Sequence, residues 1–418
     1  PYPILSGLVG SEMCIRDSDV RDWRIDEVVK LIRGPKSTIV QLEVLPSASD
    51  NEDEGKLIEI TRDVVKLEDA AAKKKEIEIK RASRNYNIGV IELPTFYMDF
   101  EAYNKNRFDY KSSSRDVKKM LRELDAANID GLILDLRGNG GGFLFEAYSL
   151  AKLFIGRGNV VQVMEANGTL QSLGHNLGQQ NYDGPIVILV DKLSASASEI
   201  LAGVIQDYDR GLVIGSQTFG KGTVQRMIEL SHGHLKFTEQ KYYRVSGEST
   251  QNKGVEPDIT IPLVFNDEEI GERSYENSLP YNHIDPIFYR SFNKVENVDL
   301  LKTISSNRTN SNEMSIYISS QQDFYENEKN NNVVPINVEK RKSMKFAREA
   351  KILLMENTFR KSLNLDPFVT YDEFVNSDPE EISELREEIV LQEAAEILVD
   401  SLQFSETPSR ISFGIMSQ

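Results

Sequence analysis

The chain has 418 residues, a formal net charge of −17 and a hydrophobic fraction of 39%. That length divides into more than one domain at roughly 100 to 200 residues each, and the hydrophobic fraction is sufficient to build real cores. The acidic balance excludes broad nucleic-acid affinity, which needs a basic footprint, and no stretch approaches the ~18 apolar residues of a membrane-crossing helix.

In chain order, residues 3–10 are apolar, but they are too few and lack the basic flank of a signal peptide. Met13-Cys14-Ile15-Arg16-Asp17-Ser18 resembles the translated end of a transposon used to prepare sequencing libraries. Residues 1–18, which hold the only cysteine, are therefore expected to be a non-native artefact. Ile25, Val28, Val29, Leu31 and Ile32 predict one face of an amphipathic helix, which Gly34-Pro35 ends. A strand is expected at 39–45, an acidic hairpin or loop at 47–55, strand character again at 57–67 and a charged connector at 68–80.

From residue 81 the pattern alternates. It predicts a strand at 88–93 and a helix at 114–128 with Val117, Met120, Leu121 and Leu124 on one face. A buried strand then runs through Leu132 into the turn Gly138-Asn139-Gly140-Gly141-Gly142, followed by a helix at 143–154. A strand at 186–190, a helix at 197–208 and a strand at 212–214 complete the series. Such alternation predicts layered α/β structure with a mostly parallel sheet, whose sites form at strand ends, where Gly141 and Ser196 fall. Beyond residue 264, the stretch 307–332 is rich in Asn, Ser and Glu and is expected to be solvated or poorly ordered. Helices are expected at 339–364 and 381–402, the second burying Ile382, Leu385, Ile389, Leu398 and Leu402.

Two segments carry chemistry. Ser194-Ala195-Ser196-Ala197-Ser198-Glu199 offers a nucleophile, and Thr218-Phe219-Gly220-Lys221-Gly222-Thr223-Val224-Gln225 offers a base, Ser196 and Lys221 lying 25 positions apart (221 − 196). A serine hydroxyl needs an adjacent base, and lysine serves only if burial brings it down from about 10.4. Gln225, four residues on, is placed to orient the amine. By itself the serine run marks a helix N-terminus, and Phe-Gly-Lys-Gly a surface turn. Their conjunction with the Asn-Gly-Gly-Gly turn points to acyl transfer, because backbone N–H groups at such a turn stabilise an oxyanion. A phosphate loop would need a Lys-Ser/Thr ending that is missing. His175, His232, His234 and His283 form no nucleophile-partner motif, and His232-Gly233-His234 lacks the further ligands of a zinc site. No metal or organic cofactor is implied.

These landmarks, with Lys241-Tyr242-Tyr243-Arg244-Val245 and Gly254-Val255-Glu256-Pro257-Asp258, resemble the tail-specific, or carboxy-terminal processing, serine proteases. The resemblance implies a ClpP/crotonase-like protease core at 81–264. Ser196 falls on the nucleophile, Lys221 on the general base and Gln225 on the lysine's support. The oxyanion donors fall on the amides of Gly141, Gly142 and Ala197. Glu199, Asp207 and Thr218 match functionally sensitive positions, and Asp207 is assigned a structural role because a carboxylate touching Lys221 would spoil the base.

Residues 19–66 resemble the last helix and strand of a PDZ domain, partial because the carboxylate-binding loop would lie upstream, with 67–80 as connector. Residues 265–418 are expected to form a helical C-terminal region that shapes substrate entry or docks an adaptor protein. The resemblance also implies protein substrates with flexible apolar C-terminal tails, and export to a periplasm with the signal lying outside this sequence. Two other classes stay open: a catalytically inactive tail-binding protein, and a crotonase-like acyl-CoA enzyme that would not need the Ser196 and Lys221 pair.

Overall fold

A computed structural model describes residues 12–15, 18–20, 28, 31–45, 56–63, 71–82, 84–174, 178–230, 233–261, 270–293, 295–310, 313–330, 335–377 and 379–406. The chain divides into two compact units, residues 1–70 and 71–418.

In the first unit, β1 (Glu12–Ile15), β2 (Ser18–Asp19), β3 (Ile39–Leu45) and β4 (Lys56–Thr61) form an antiparallel sheet in the order β2-β1-β3-β4. Residues 12–15, inside the segment expected to be non-native, thus pair with β3. Of the expected helical face, Val28, Leu31 and Ile32 are helical, while Ile25 and Val29 lie outside the described residues. Val28 is buried with Val20, Val40 and Leu42. The Arg62 guanidinium donates to the carbonyls of Ile32 at 2.6 Å and Leu31 at 3.0 Å, satisfying the orphan acceptors of that helix end. Residues 47–55, read as the acidic hairpin or loop, and 3–10 lie outside the described residues.

The second unit begins earlier than the sequence pattern indicates. Its first strand, β5 (Lys73–Lys80), occupies most of the segment read as a charged connector. It pairs antiparallel with β6 (Asn85–Glu92). Ile77 and Ile79 face the core while Lys74, Glu76, Glu78 and Lys80 line the exposed side, charges being a common way to protect a sheet edge; the charge of the segment masked its period of two. Next come α1 (Phe100–Asn104), α2 (Ser113–Ala126), β7 (Gly131–Asp135), α3 (Leu144–Ile155), β8 (Val161–Glu165), β9 (Leu170–Leu173), β10 (Ile186–Val190), α4 (Ala197–Asp207), β11 (Leu212–Gly215), β12 (Thr223–Glu229), β13 (His234–Tyr243) and β14 (Ile259–Thr260).

The central sheet runs β14-β11-β10-β7-β6-β5 and is parallel except for β5. Every residue of β7 and β10 is buried, as expected of parallel strands covered on both faces. One face, with Leu132, Leu134, Ile188 and Val190, packs on Val117, Leu121 and Leu124 of α2, Leu150 and Phe154 of α3 and Leu201 and Ile205 of α4. A second sheet, antiparallel in the order β12-β13-β8-β9, was not foreseen from the sequence.

The opposite face is covered by the C-terminal region: α5 (Val298–Asn310), α6 (Glu313–Asn330), α7 (Val338–Ser362), α8 (Tyr371–Val375) and α9 (Pro379–Glu406). Leu391, Ala394, Ala395, Leu398 and Val399 of α9 join Ile88, Val90, Ile133, Val187 and Leu189 in one buried cluster. Helix and sheet approach closely, since a Cβ at Gly131 would stand 2.9 Å from Leu398 Cδ2. Side chains 378–386, including the expected Ile382 and Leu385, are outside the described residues. The segment 307–332, expected to be poorly ordered, is instead helical over most of its length, because Tyr317, Ile318 and Phe324 bury against this cluster or its margins. Three apolar residues on a polar background were enough once a neighbouring helix was present.

The charges of α9 are paired where they enter the fold. Arg308 holds Glu393 at 2.7 Å and Asp400 at 2.8 Å, and Arg81 holds Asp400 at 3.0 Å together with Glu396, consistent with the cost of leaving such groups uncompensated. Among the described residues no helix is long and apolar enough to cross a membrane. Leu398→Ala should lower unfolding free energy by about 2–5 kcal/mol. Chemical denaturation of the whole chain checks this, and a loss under 1 kcal/mol would show that α9 is not a layer of the core.

Candidate active site

The site is built where two neighbouring parallel strands end. Leu189 of β10 lies opposite Asp135 of β7, so both chains leave the sheet at the same edge. After β7, Arg137 forks onto the Asp135 carboxylate at 2.6 and 3.0 Å and donates to the Glu387 carbonyl of α9 at 3.1 Å. Gly138 N–H donates to Asp191 Oδ1 at 3.0 Å. Asn139 is fully buried, its Nδ2 donating to Leu93 O at 2.7 Å and its Oδ1 accepting from Gly141 N–H at 2.9 Å. Gly141 and Gly142 have φ of +103° and +149°, a region that favours glycine. A Cβ on Gly141 would stand 2.9 Å from Ser196 Cβ and 3.1 Å from Ala197 N. The glycine turn is therefore seated directly on the head of α4.

The three serines separate by environment. Ser194 and Ser198 are fully buried, donating to the carbonyls of Leu136 and Asn139, each at 2.8 Å. Ser196 is half-buried with φ +57° and ψ −108°, a strained conformation for a residue with a side chain. Of the three expected oxyanion donors, Gly141 N–H is committed to Asn139, which corrects that assignment. The amides of Gly142 and Ala197 have no hydrogen-bond partner among the described residues.

Glu199 connects the parts. Its fully buried carboxylate accepts from Ser196 N–H at 2.7 Å and Lys221 N–H at 2.9 Å through Oε2, and from Thr218 Oγ1 at 2.6 Å and Gly220 N–H at 2.7 Å through Oε1. Thr218 Oγ1 also accepts from Val255 N–H at 2.7 Å. A second clamp comes from Tyr242, whose hydroxyl shares its proton between the carbonyls of Lys221 and Ser196, the latter at 3.2 Å, and accepts from Thr250 Oγ1 at 3.0 Å. The Lys221 amine donates to Gln225 Oε1 at 3.3 Å; no hydrogen bond joins it to the Ser196 hydroxyl. Asp207 is not in the site. It lies at the far end of α4, roughly 16 Å along the axis at 1.5 Å per residue, and binds Arg244 at 2.5 and 3.1 Å.

Asn139, Asp191 and Tyr242 were not singled out from the sequence. Asn139 was read only as part of a turn, and Tyr242 only as part of a pattern. Among the described residues no group of three or more His, Cys, Asp or Glu side chains has the arrangement of a metal site.

Burial dominates the electrostatics. It lowers the Lys221 pKa from its ordinary value, helped by the nearby charge of Lys236 and opposed by Glu272 and Glu199. It pushes Glu199 up to about 7 against the pull of its hydrogen bonds. With a folded value above the unfolded one, the stability contributed by Glu199 is fully present below about 4.5 and is lost as pH rises through about 7. Glu199→Gln should therefore flatten the stability curve across this window, by about 3 kcal/mol relative to the native chain. Denaturation at a series of pH values checks this, and parallel curves for the two proteins would exclude Glu199 as the titrating group.

The sequence profile described as peptidase family S41 matches residues 87–261, and that of the C-terminal domain of tail specific protease matches residues 265–403. The chain is similar to the Tail-specific protease of Haemophilus influenzae, with 38% identity over 290 residues, 67% of this chain and 39% of that protein. It is similar to the Carboxyl-terminal-processing protease of Synechocystis sp., with 32% identity over 255 residues, 60% of this chain and 55% of that protein. A solved structure of a photosystem II D1 C-terminal processing protease aligns with a TM-score of 0.42 and 25% identity, over 60% of this chain and 63% of that one. The chain thus spans 39% and 55% of the lengths of these two curated relatives. With both profiles matched in succession, residues 87–261 belong to peptidase family S41 and residues 265–403 to the C-terminal domain of tail specific protease.

Proposed function

We propose that the chain is a serine endopeptidase in which Ser196 is the nucleophile and Lys221 the general base. The observation that carries this reading is the Glu199 carboxylate, which takes the backbone N–H of both residues and so holds side by side the backbones of two residues 25 positions apart (221 − 196). In the resting arrangement the Lys221 amine lies on Gln225. Side-chain rotation carries it to the serine hydroxyl when substrate closes the site, in keeping with the looser geometry of unliganded active sites.

Lys221, as the free amine, then takes the Ser196 proton while Oγ attacks the peptide carbonyl. The amides of Gly142 and Ala197 receive the developing oxyanion, a contribution of about 3 kcal/mol per donor. The Lys221 ammonium passes its proton to the leaving amine, and an acyl-enzyme remains on Ser196. Water, deprotonated by the same lysine, releases the new carboxyl terminus and restores the hydroxyl. Glu199, Thr218 and Tyr242 act by positioning, and Asp207 by bracing α4 on Arg244.

Substrates are proteins with flexible apolar C-terminal tails. The chain works in a periplasm, residues 19–66 being the remnant of a tail-binding PDZ domain. These finer assignments rest on kinship with the tail-specific proteases. An acyl-CoA reaction would give no use to a lysine tied to the same carboxylate as the serine.

Cleavage of an unfolded casein-like protein by the whole chain should fall roughly ten-thousandfold in both Ser196→Ala and Lys221→Ala. Undiminished cleavage by either variant overturns the pair. Absence of cleavage by the native chain, with tail peptides still bound, would favour the inactive tail-binding protein. In the active protein kcat/KM should rise with pH along one acidic limb, with a midpoint below the ordinary lysine value because burial favours the free amine.

A further inference from the structure

The turn that carries Lys221 is covered by a strap from the C-terminal region. Glu272 opens a short 3-10 turn, Glu272–Ser274, and its N–H donates to Phe219 O at 3.0 Å. Gly271, at φ +143°, approaches so closely that a Cβ would stand 2.9 Å from that same carbonyl. The Tyr275 ring packs on Phe219 with centroids 6.4 Å apart. The carboxylate of Glu272 is held as well. Gln251 accepts from Gly222 N–H at 2.9 Å and donates through its Nε2 to Glu272 Oε1 at 3.3 Å. Glu272 is thereby tied to both flanks of Lys221, at Phe219 and at Gly222. Further along, the strap is joined to the core by Asn252 Nδ2 to Leu279 O at 3.0 Å, Ile284 N–H to Gly247 O at 2.9 Å and Ile287 N–H to Val245 O at 3.0 Å.

Each element packed around Lys221 presents a titratable group. Glu199 comes from α4, Lys236 and Tyr242 from β13, and Glu272 from the strap. Glu199 is committed to four donors, and Tyr242 stays neutral because burial raises it well above its ordinary value. Lys236 on one side, and Glu272 with Glu199 on the other, are the charges whose balance the amine feels. Glu272 lies in the domain that follows the peptidase domain, so this balance joins the two.

We propose that Glu272 is a positioning residue supplied by the C-terminal region, whose negative charge sets the fraction of Lys221 present as free amine and hence the working pH of the site. The proposal rests on Lys221 being the general base. The docked strap favours the ammonium, so the C-terminal region tunes the reactivity of the core through one carboxylate.

The test is a titration of the Lys221 side chain by 13Cε-lysine NMR in the whole protein, the signal being assigned by its loss in Lys221→Met. Glu272→Gln keeps the acceptor for Gln251 and removes only the charge. It should lower the Lys221 midpoint by roughly 0.5 to 1 pH unit. Lys236→Met should move it the opposite way, and Glu272→Asp should stay near the native value. Salt should shrink the Glu272 effect, because the residue is half-exposed. In parallel, the acidic limb of kcat/KM should follow each midpoint. An unchanged midpoint in Glu272→Gln overturns the proposal whether or not the protein cleaves anything. A midpoint that shifts while the limb stays fixed supports the electrostatic role and overturns Lys221 as the base.

Discussion

One buried carboxylate organises the site. Glu199 sits in the first turn of α4, where a negative group meets unpaired N–H donors and the positive end of the helix dipole. A single turn of helix therefore presents one oxygen to Ser196 and Lys221 and the other to Thr218 and Gly220. Both oxygens are occupied by backbone and hydroxyl donors, so the charge lies close to the lysine turn without touching the amine. That distinction matters for the amine, because a carboxylate in direct contact would hold the ammonium.

The glycine turn depends on this arrangement in reverse. Asn139 takes the Gly141 amide, and Ser198 and Ala195 take the Asn139 carbonyl. The polar groups of the turn are thereby spent on holding its shape, and the amides of Gly142 and Ala197 are left without a partner among the described residues. Pre-organisation of this kind has a cost, visible in the backbone of Ser196 and of the two glycines. The surrounding hydrogen bonds over-determine those conformations, as strained functional residues require.

The C-terminal region is inseparable from the core on physical grounds. Its last helix completes the burial of the central sheet, Arg137 at the base of the glycine turn reaches the Glu387 carbonyl on that helix, and the strap reaches the lysine turn. The boundary between the two matched profiles falls between residues 261 and 265, yet the hydrophobic layer crosses it. A sheet of this kind needs both faces covered, and here the peptidase segment supplies the helices for one face only.

The alternation of strands and helices from 85 to 215 was legible in the sequence, as were the turns that carry Ser196, Lys221 and Gly141, because burial periodicity and turn chemistry are written within a dozen consecutive residues. Two elements were misjudged for the same reason. Lysines hid the strand at Lys73–Lys80, and asparagines hid the helix at Glu313–Asn330, since each owes its order to a partner distant in the chain. In the site, Glu199 and Thr218 were legible as positions but not as a linkage, and Asn139, Tyr242 and Glu272 had no local signal at all. The sequence by itself determined which residue types could perform acyl transfer and roughly where the sheet would bring them. Tertiary structure alone decided which amides remain free, which carboxylate joins serine to lysine and which charge faces the amine, because hydrogen-bond donors and fields are allotted by contacts between segments that no local pattern records.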